Sequence, residues 1–190
     1  MDADSEAAWV AGLRRGEPAA FDAVFAAYRA RIYGYLARMT GRRDLADDLV
    51  QEVFLRLARR GGLLTADTRL GPWLFTVAHN LIVSHARAAR VAQSLAVELG
   101  AAPTRHDPGP FEALAGNRAQ LAVEAALAAM PPAHREVLLL CASERLSPAE
   151  AATVLGVRPD LVRQRLSRAR AQIESALALD AAPTHRRSTR

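Results

Sequence analysis

Lysine is absent from this 190-residue chain: all 25 of its basic residues are arginine, set against 20 acidic ones. Together with abundant alanine, this bias reflects GC-rich coding more than selection for guanidinium geometry, so arginine positions inform more than arginine number. Cysteine occurs once, at Cys141, which excludes an intramolecular disulfide and a zinc-binding cysteine cluster. Set in an apolar helical run, it reads as a buried structural thiol. The five histidines are scattered at positions 79, 85, 106, 134 and 185 with no HExxH pair, and there is neither a phosphate loop nor a dinucleotide glycine motif. No catalytic residue, metal site or cofactor is expected, and an enzyme is the function the sequence supports least. No wholly apolar stretch, Val137 to Ala142 being among the longest, comes near the roughly 20 residues a membrane-spanning helix needs. The acidic start MDADSE lacks the basic n-region of a signal peptide. The expectation is a cytoplasmic protein without membrane insertion. Sustained period-two alternation is also missing, which argues against strands.

What the chain does have is a run from Leu146 to Ile173 that reads as helix, tight turn and helix. Ser147, Pro148 and Glu150 occupy the N-cap, first-turn and N3 positions of a capping box. Gly156 stops that helix by turning through positive φ at no steric cost. Val157 plugs the corner, and Pro159 with Asp160 opens the next helix at its positive end. Along it Val162, Leu166, Ala169 and Ile173 recur at i, i+4, i+7 and i+11 as a buried stripe, with Arg163, Gln164, Ser167 and Arg168 on another face. A polar, cationic exposed face is what a major-groove helix requires. The competing reading is a solvated arginine-rich helix. The net charge of +5 suits a polyanionic partner but is also compatible with solubility alone.

Helical periodicity dominates elsewhere, so the expected fold class is all-α. Helices are predicted from about Ser5 to Arg15, Pro18 to Thr40, Asp44 to Leu57 and Pro72 to about Arg90, the first three ended by Gly16, Gly41 and the Gly61/Gly62 pair. They form a small bundle over residues 1–91. Residues 92–112 lose the pattern, and AAPTRHDPGP is dense in breakers, which predicts a flexible linker. Helices resume near Phe111, break at Pro131 and Pro132, and run to Arg145 before the helix-turn-helix, giving a second helical domain over 113–179. Residues 180–190 read as a disordered basic tail.

Two faces in the first domain carry chemistry. In DLADDLVQEVF, Asp47, Asp48, Gln51 and Glu52 gather opposite Leu49, Val53 and Phe54. An acidic face on a basic DNA reader calls for a partner other than DNA; the competing reading is a solvated face supporting its own first turn. In the helix from Pro72, the residues Thr76, His79, Asn80, Val83 and Arg87 turn away from Trp73, Val77 and Leu81. They offer amide, imidazole and guanidinium to nucleic acid, with Trp73 as a core anchor.

The segments FDAVFAAYRARIYGYLARMTG, DLADDLVQEVFLRLARR and GPWLFTVAHNLIVSHARAAR, followed by LAAMPPAHREVLLLCASERLSPAEAATVLGVRPDLVRQRLSRARAQI, resemble regions 2 and 4 of a sigma-70 family factor of the extracytoplasmic function (ECF) type. The resemblance implies an initiation factor that binds core RNA polymerase through the β′ clamp helices and the β subunit. It also implies recognition of the promoter DNA -10 and -35 elements, and control by an anti-sigma factor. By the same resemblance, Asp47, Asp48, Gln51 and Glu52 form the core-binding set. His79, Asn80, Val83, Arg87 and Arg90, with the loop 61–69, form the -10 set, Asn80 foremost. Arg163, Gln164, Ser167 and Arg168 read -35, with Arg165 and Arg170 at the flanks. The chain departs from the family at His79, where arginine is common, at Ser84, where aspartate is common, and at Leu161 and Gln164 of the recognition helix. The alternative is a two-domain helix-turn-helix regulator without sigma activity, which leaves the DLVQEVF segment unexplained.

Overall fold

The computed structural model describes residues 3–98 and 118–181. Eight helices succeed one another: α1 Ala3–Arg14, α2 Pro18–Thr40, α3 Arg43–Arg60, α4 Leu70–Glu98, α5 Arg118–Ala129, α6 Pro132–Leu138, α7 Pro148–Leu155 and α8 Pro159–Ala181. Among the described residues there is no strand, and the all-α fold is as expected.

The long helix α2 is the spine. Val24, Tyr28, Ile32 and Leu36 recur at its helical repeat and are fully buried. Against them lie Val53 and Leu57 of α3, Leu74, Phe75 and Ala78 of α4, and Val10 and Leu13 of α1. Gly41, at φ 69°, ends α2 and sends its N–H back to the Ala37 carbonyl; Gly16, at φ 73°, makes the turn before α2. The C-terminal half buries Leu127, Met130, Val137, Leu140, Ala151, Val154, Val162, Leu166 and Ala169. These continue the same apolar cluster, so one core runs through both halves.

Three elements differ from the sequence reading. First, α4 does not stop near Arg90 but continues to Glu98. The segment AARVAQSLAVE consists mostly of good helix formers and holds no breaker, so propensity carries the helix past the point where it has a core to cover: Val91 and Leu95 are exposed. Second, the helix expected to run to Arg145 opens into a π turn at Leu139–Ser143, with Glu144 N–H donating to the Leu139 carbonyl at 3.0 Å. Third, Arg145 takes a left-handed φ of 59°, a conformation that non-glycine residues rarely adopt. The wide turn and this reversal direct Glu144 toward α2 and start α7. The linker and tail expected at 92–112 and 180–190 lie largely outside the described residues.

The helix-turn-helix forms as its chemistry dictates. Ser147 accepts from the Glu150 N–H at 3.2 Å while the Glu150 carboxylate accepts from the Ser147 N–H at 2.8 Å, completing the capping box. Gly156 caps α7 at φ 62°. Val162, Leu166 and Ala169 of α8 are buried and Ile173 is half-buried. Ser147→Ala removes a cap worth about 1 kcal/mol; guanidinium unfolding followed by far-UV circular dichroism is expected to show that loss with native helicity unchanged.

Candidate polymerase and nucleic-acid surfaces

Helix α3 holds its expected acidic face to solvent. Asp47, Asp48 and Gln51 are exposed, and Glu52 is half-buried and pairs with Arg56 one turn on, at 2.9 Å. Asp44, at the first turn, is engaged by Arg42, and that hydrogen bond pulls its carboxyl down to about 2. A carboxyl lowered on folding stabilises the folded chain above its ordinary range and ceases to do so as pH falls through the folded value. Beside the acidic face, Leu55 and Phe25 are exposed, the latter packed edge-on to Phe54 at 4.7 Å between ring centroids. An acidic surface bordered by apolar side chains suits a basic protein partner, not DNA.

Helix α4 begins at a built corner. The Glu6 carboxylate accepts from the Leu70 N–H at 2.6 Å and lies 3.4 Å from the Gly71 N–H, so a residue of α1 caps the N-terminus of α4. Gly71 is buried in this corner, where a Cβ would meet the Tyr28 hydroxyl at 3.5 Å, an ordinary packing distance. The preceding loop is tied by Thr65 and Thr68, whose hydroxyls are 3.0 Å apart and whose backbone turn closes at 3.1 Å. The loop leaves Leu63 exposed.

Of the expected -10 set, Asn80, Val83, Arg87 and Arg90 are exposed along α4. His79 is not. Its Nδ1 lies 2.7 Å from Oε1 of Glu136 on α6, and the same oxygen accepts the Tyr35 hydroxyl at 2.6 Å. Because a carboxylate only accepts, the His79 Nδ1 carries the proton in this contact. Burial, reinforced by the neighbouring Glu136 charge, raises the Tyr35 hydroxyl well above its ordinary value and keeps it a donor. Thr76 satisfies its hydroxyl within α4, on the Pro72 carbonyl at 2.7 Å.

On α8, Arg163, Gln164, Ser167, Arg168 and Arg170 are exposed and Arg165 is half-buried. Arg163 pairs with Asp160 at the helix start. A groove of about 570 Å³ beside this face is lined by Cys141, Pro148, Arg163, Ser167, Arg170 and Glu174. Cys141 is half-buried, not fully buried, and burial pushes its thiol up, away from the reactive thiolate.

Residues that the sequence reading did not single out join the halves. Arg31 donates to Glu144 at 2.8 Å, Arg38 grips Glu124 at 2.7 and 3.2 Å, and Arg69 reaches Glu150 at 3.0 Å. Glu144 is the most enclosed; burial raises its carboxyl more than Arg31 lowers it. That pair therefore fixes position more than it adds stability. Among the described residues no cluster of histidine, cysteine and carboxylate side chains could hold a metal ion. Likewise, among them no helix is long and apolar enough to cross a membrane.

Comparison with known proteins identifies the family of each half of the chain. Residues 24–91 match the family described as Sigma-70 region 2, and residues 120–173 match Sigma-70, region 4, together more than half of the chain. The chain is 33% identical over 162 residues to RNA polymerase sigma factor CarQ of Myxococcus xanthus, covering 82% of this chain and 88% of CarQ. It is 32% identical over 155 residues to the ECF RNA polymerase sigma factor SigE of Mycolicibacterium smegmatis, covering 81% of this chain but 60% of SigE. Its fold is similar to that of the sigma factor RpoE from Bartonella quintana, solved with the anti-sigma factor NepR. The TM-score is 0.66 at 20% identity, over 84% of this chain and 98% of that one. Replacing Glu6 by alanine leaves the first amides of α4 without their carboxylate and is expected to cost about 1 to 2 kcal/mol. The check is faster hydrogen exchange at Leu70 and Gly71, with exchange in α3 unchanged. Both halves of the chain, in order, carry the two regions of one family: this chain belongs to the sigma-70 family of RNA polymerase sigma factors, in the ECF group.

Proposed function

We propose that this chain binds core RNA polymerase and directs promoter-specific initiation by recognising -10 and -35 DNA. The observation that carries the reading is the division of charge. The exposed face of α3 is acidic, whereas the face of α8 opposite buried Val162, Leu166 and Ala169 is built from Arg163, Gln164, Ser167 and Arg168. One surface fits a basic protein and the other fits DNA, which is what an adaptor between polymerase and promoter needs.

In this proposal residues 1–91 form the polymerase- and -10-binding unit, 92–112 the linker with its first turns continuing α4, 113–179 the -35 unit, and 180–190 a basic tail. Asp47, Asp48, Gln51 and Glu52 register α3 on the polymerase clamp. Asn80 reads a base of the opened -10 strand, the loop 61–69 forms its pocket, and Arg87 and Arg90 hold phosphates. His79 joins that set once it leaves Glu136. Arg163 and Arg168 read base edges at -35, while Arg165 and Arg170 hold phosphate. Catalysis in such a complex belongs to the polymerase, and the place of action is the cytoplasm, where core enzyme and promoter are. An anti-sigma factor, as NepR is for RpoE, is the proposed regulatory partner.

The test is run-off transcription with purified bacterial core polymerase on fragments of the genome that encodes the chain. Transcripts with defined start points are expected only when the chain is added. Arg163→Ala or Arg168→Ala is expected to lower discrimination at one -35 base by about 1 to 3 kcal/mol, roughly 5- to 150-fold, if the guanidinium is bidentate to guanine. Asp48→Arg with Glu52→Arg is expected to abolish core binding. Core binding without promoter-dependent transcripts, or tight sequence-specific DNA binding by the chain alone, would instead support the regulator without sigma activity.

A further inference from the structure

Loop 61–69 is held at both ends by one helix, α1. At its start Gly61 is buried against that helix, where a Cβ would meet the Leu13 carbonyl at 3.5 Å, and a Cβ at Gly62 would lie 4.0 Å from the Arg14 carbonyl. At its end the Glu6 carboxylate accepts from the Leu70 N–H at 2.6 Å and faces the Arg69 guanidinium at 4.0 Å. Glu6, Val10 and Leu13 follow one another at i, i+4 and i+7, so they share a face of α1. Val10 and Leu13 are buried on it. The two holding points therefore lie about 10 Å apart along a rigid rod, at 1.5 Å per residue.

Between these points the loop is tied to itself. Leu64 is buried as a third anchor, the Thr65 N–H donates to the Thr68 hydroxyl at 3.0 Å, and the Thr68 N–H donates to the Thr65 carbonyl at 3.1 Å. The residues left over face solvent: Leu63 is 80% exposed, and Thr65, Ala66 and Asp67 are exposed beside it. A loop fixed only through its neighbours in the chain loses its conformational freedom when a ligand arrives, and that loss is subtracted from affinity. A loop whose backbone is fixed beforehand does not incur it. Were Glu6 no more than a cap for α4, nothing would require the start of the loop to rest on the same helix.

We propose that α1 is a positioning element for the -10 base pocket: Glu6 holds the end of loop 61–69 and the Leu13–Arg14 backbone seats its start, so the loop meets the base of the opened strand already shaped. The role rests on the initiation function proposed above, which gives the loop its base. Helix α1 precedes residues 24–91, the stretch that matches region 2, so the brace lies outside that match. Glu6 touches no base and acts through the loop. Its requirement is reach: an oxygen at hydrogen-bond distance from the Leu70 N–H. Glutamine keeps that reach and an accepting oxygen, whereas aspartate keeps the charge on a side chain one methylene shorter.

The experiment compares the full chain with Glu6→Ala, Glu6→Gln and Glu6→Asp, each alone and as holoenzyme with purified core. Hydrogen exchange at millisecond times on the chain alone reads the loop: the amides of Leu64, Thr65 and Thr68 are expected to exchange faster in Glu6→Ala and Glu6→Asp, and near the wild-type rate in Glu6→Gln. Holoenzyme binding is then measured on fork DNA from a promoter found by run-off transcription, duplex through -35 and single-stranded across -10 on the non-template strand. Each fork carries the native base or a substitute at the position the loop receives. Preference for the native base is expected to fall about 10-fold, or about 1.4 kcal/mol, in Glu6→Ala and Glu6→Asp. In Glu6→Gln it stays within about 2-fold of wild type. Core affinity and discrimination at -35 are expected to be unchanged in all three. Losses there that match the loss at -10 would mark a general structural role and overturn the proposal. Wild-type preference or wild-type loop exchange in Glu6→Ala or Glu6→Asp, or loss of either in Glu6→Gln, would also overturn it. Should Glu6→Ala fail to fold, the glutamine and aspartate variants decide by the same criteria. A wild-type holoenzyme that reads no base at -10 would refute the initiation reading, and the positioning role with it; one that reads the base equally well with every Glu6 variant would refute the positioning role alone.

Discussion

A carboxylate taken out of water must be met by donors, and Glu136 is met from the other half of the chain. Its Oε1 lies 2.6 Å from the Tyr35 hydroxyl of α2 and 2.7 Å from the His79 Nδ1 of α4. Removing it would strand two half-buried or buried donors, at about 1 to 3 kcal/mol for each one left unsatisfied. This constraint orders much of the structure. It fixes α6 against α2, sets α4 as the floor on which α7 packs, and lets the apolar cluster of the N-terminal bundle continue into the helix-turn-helix. Specificity more than strength is its contribution, since the cost of taking a carboxylate out of water offsets much of what its hydrogen bonds gain.

The same helix, α4, serves two masters. Its buried side, through Leu74, Phe75, Ala78 and Leu81, completes the first core. Its open side carries Asn80, Val83, Arg87 and Arg90. His79 lies at the border and is engaged by Glu136. The family commonly has arginine here. Imidazole is shorter and a weaker phosphate partner, and its ring suits a buried carboxylate at hydrogen-bond distance. At this departure from the family pattern the side chain makes a contact within the chain.

Much of the architecture was legible from local chemistry. The capping box at Ser147 and Glu150, the stop at Gly156, and the stripe of Val162, Leu166 and Ala169 are effects of residues within a few positions of one another, and all formed. The acidic face of α3 follows equally from helical spacing. What escaped is non-local. Tyr35 and Glu136 are separated by 101 residues, and no periodicity links them. A clue existed in Tyr35, which lies on the buried side of α2 and whose hydroxyl must find a partner, but nothing local names that partner. The continuation of α4 to Glu98 escaped because the reading followed the apolar stripe, whereas the helix followed propensity. The π turn at Leu139–Ser143 escaped because a run of leucines fits a regular helix as well. As for the sites, the arginines of α8 stand on the face where spacing placed them, while His79 shows that a residue on a reading face can be engaged elsewhere.

If Glu136 makes one unit of two helical halves, the full chain should unfold as one. Both tryptophans, Trp9 and Trp73, lie in the N-terminal half, so their fluorescence reports that half, whereas far-UV circular dichroism reports both. Guanidinium unfolding of the wild type, followed by the two signals together, tests this directly. The account predicts coincident transitions with a common midpoint and slope in the wild type, and separated ones in Glu136→Ala. Two resolved transitions in the wild type, with fluorescence and dichroism diverging, would contradict it.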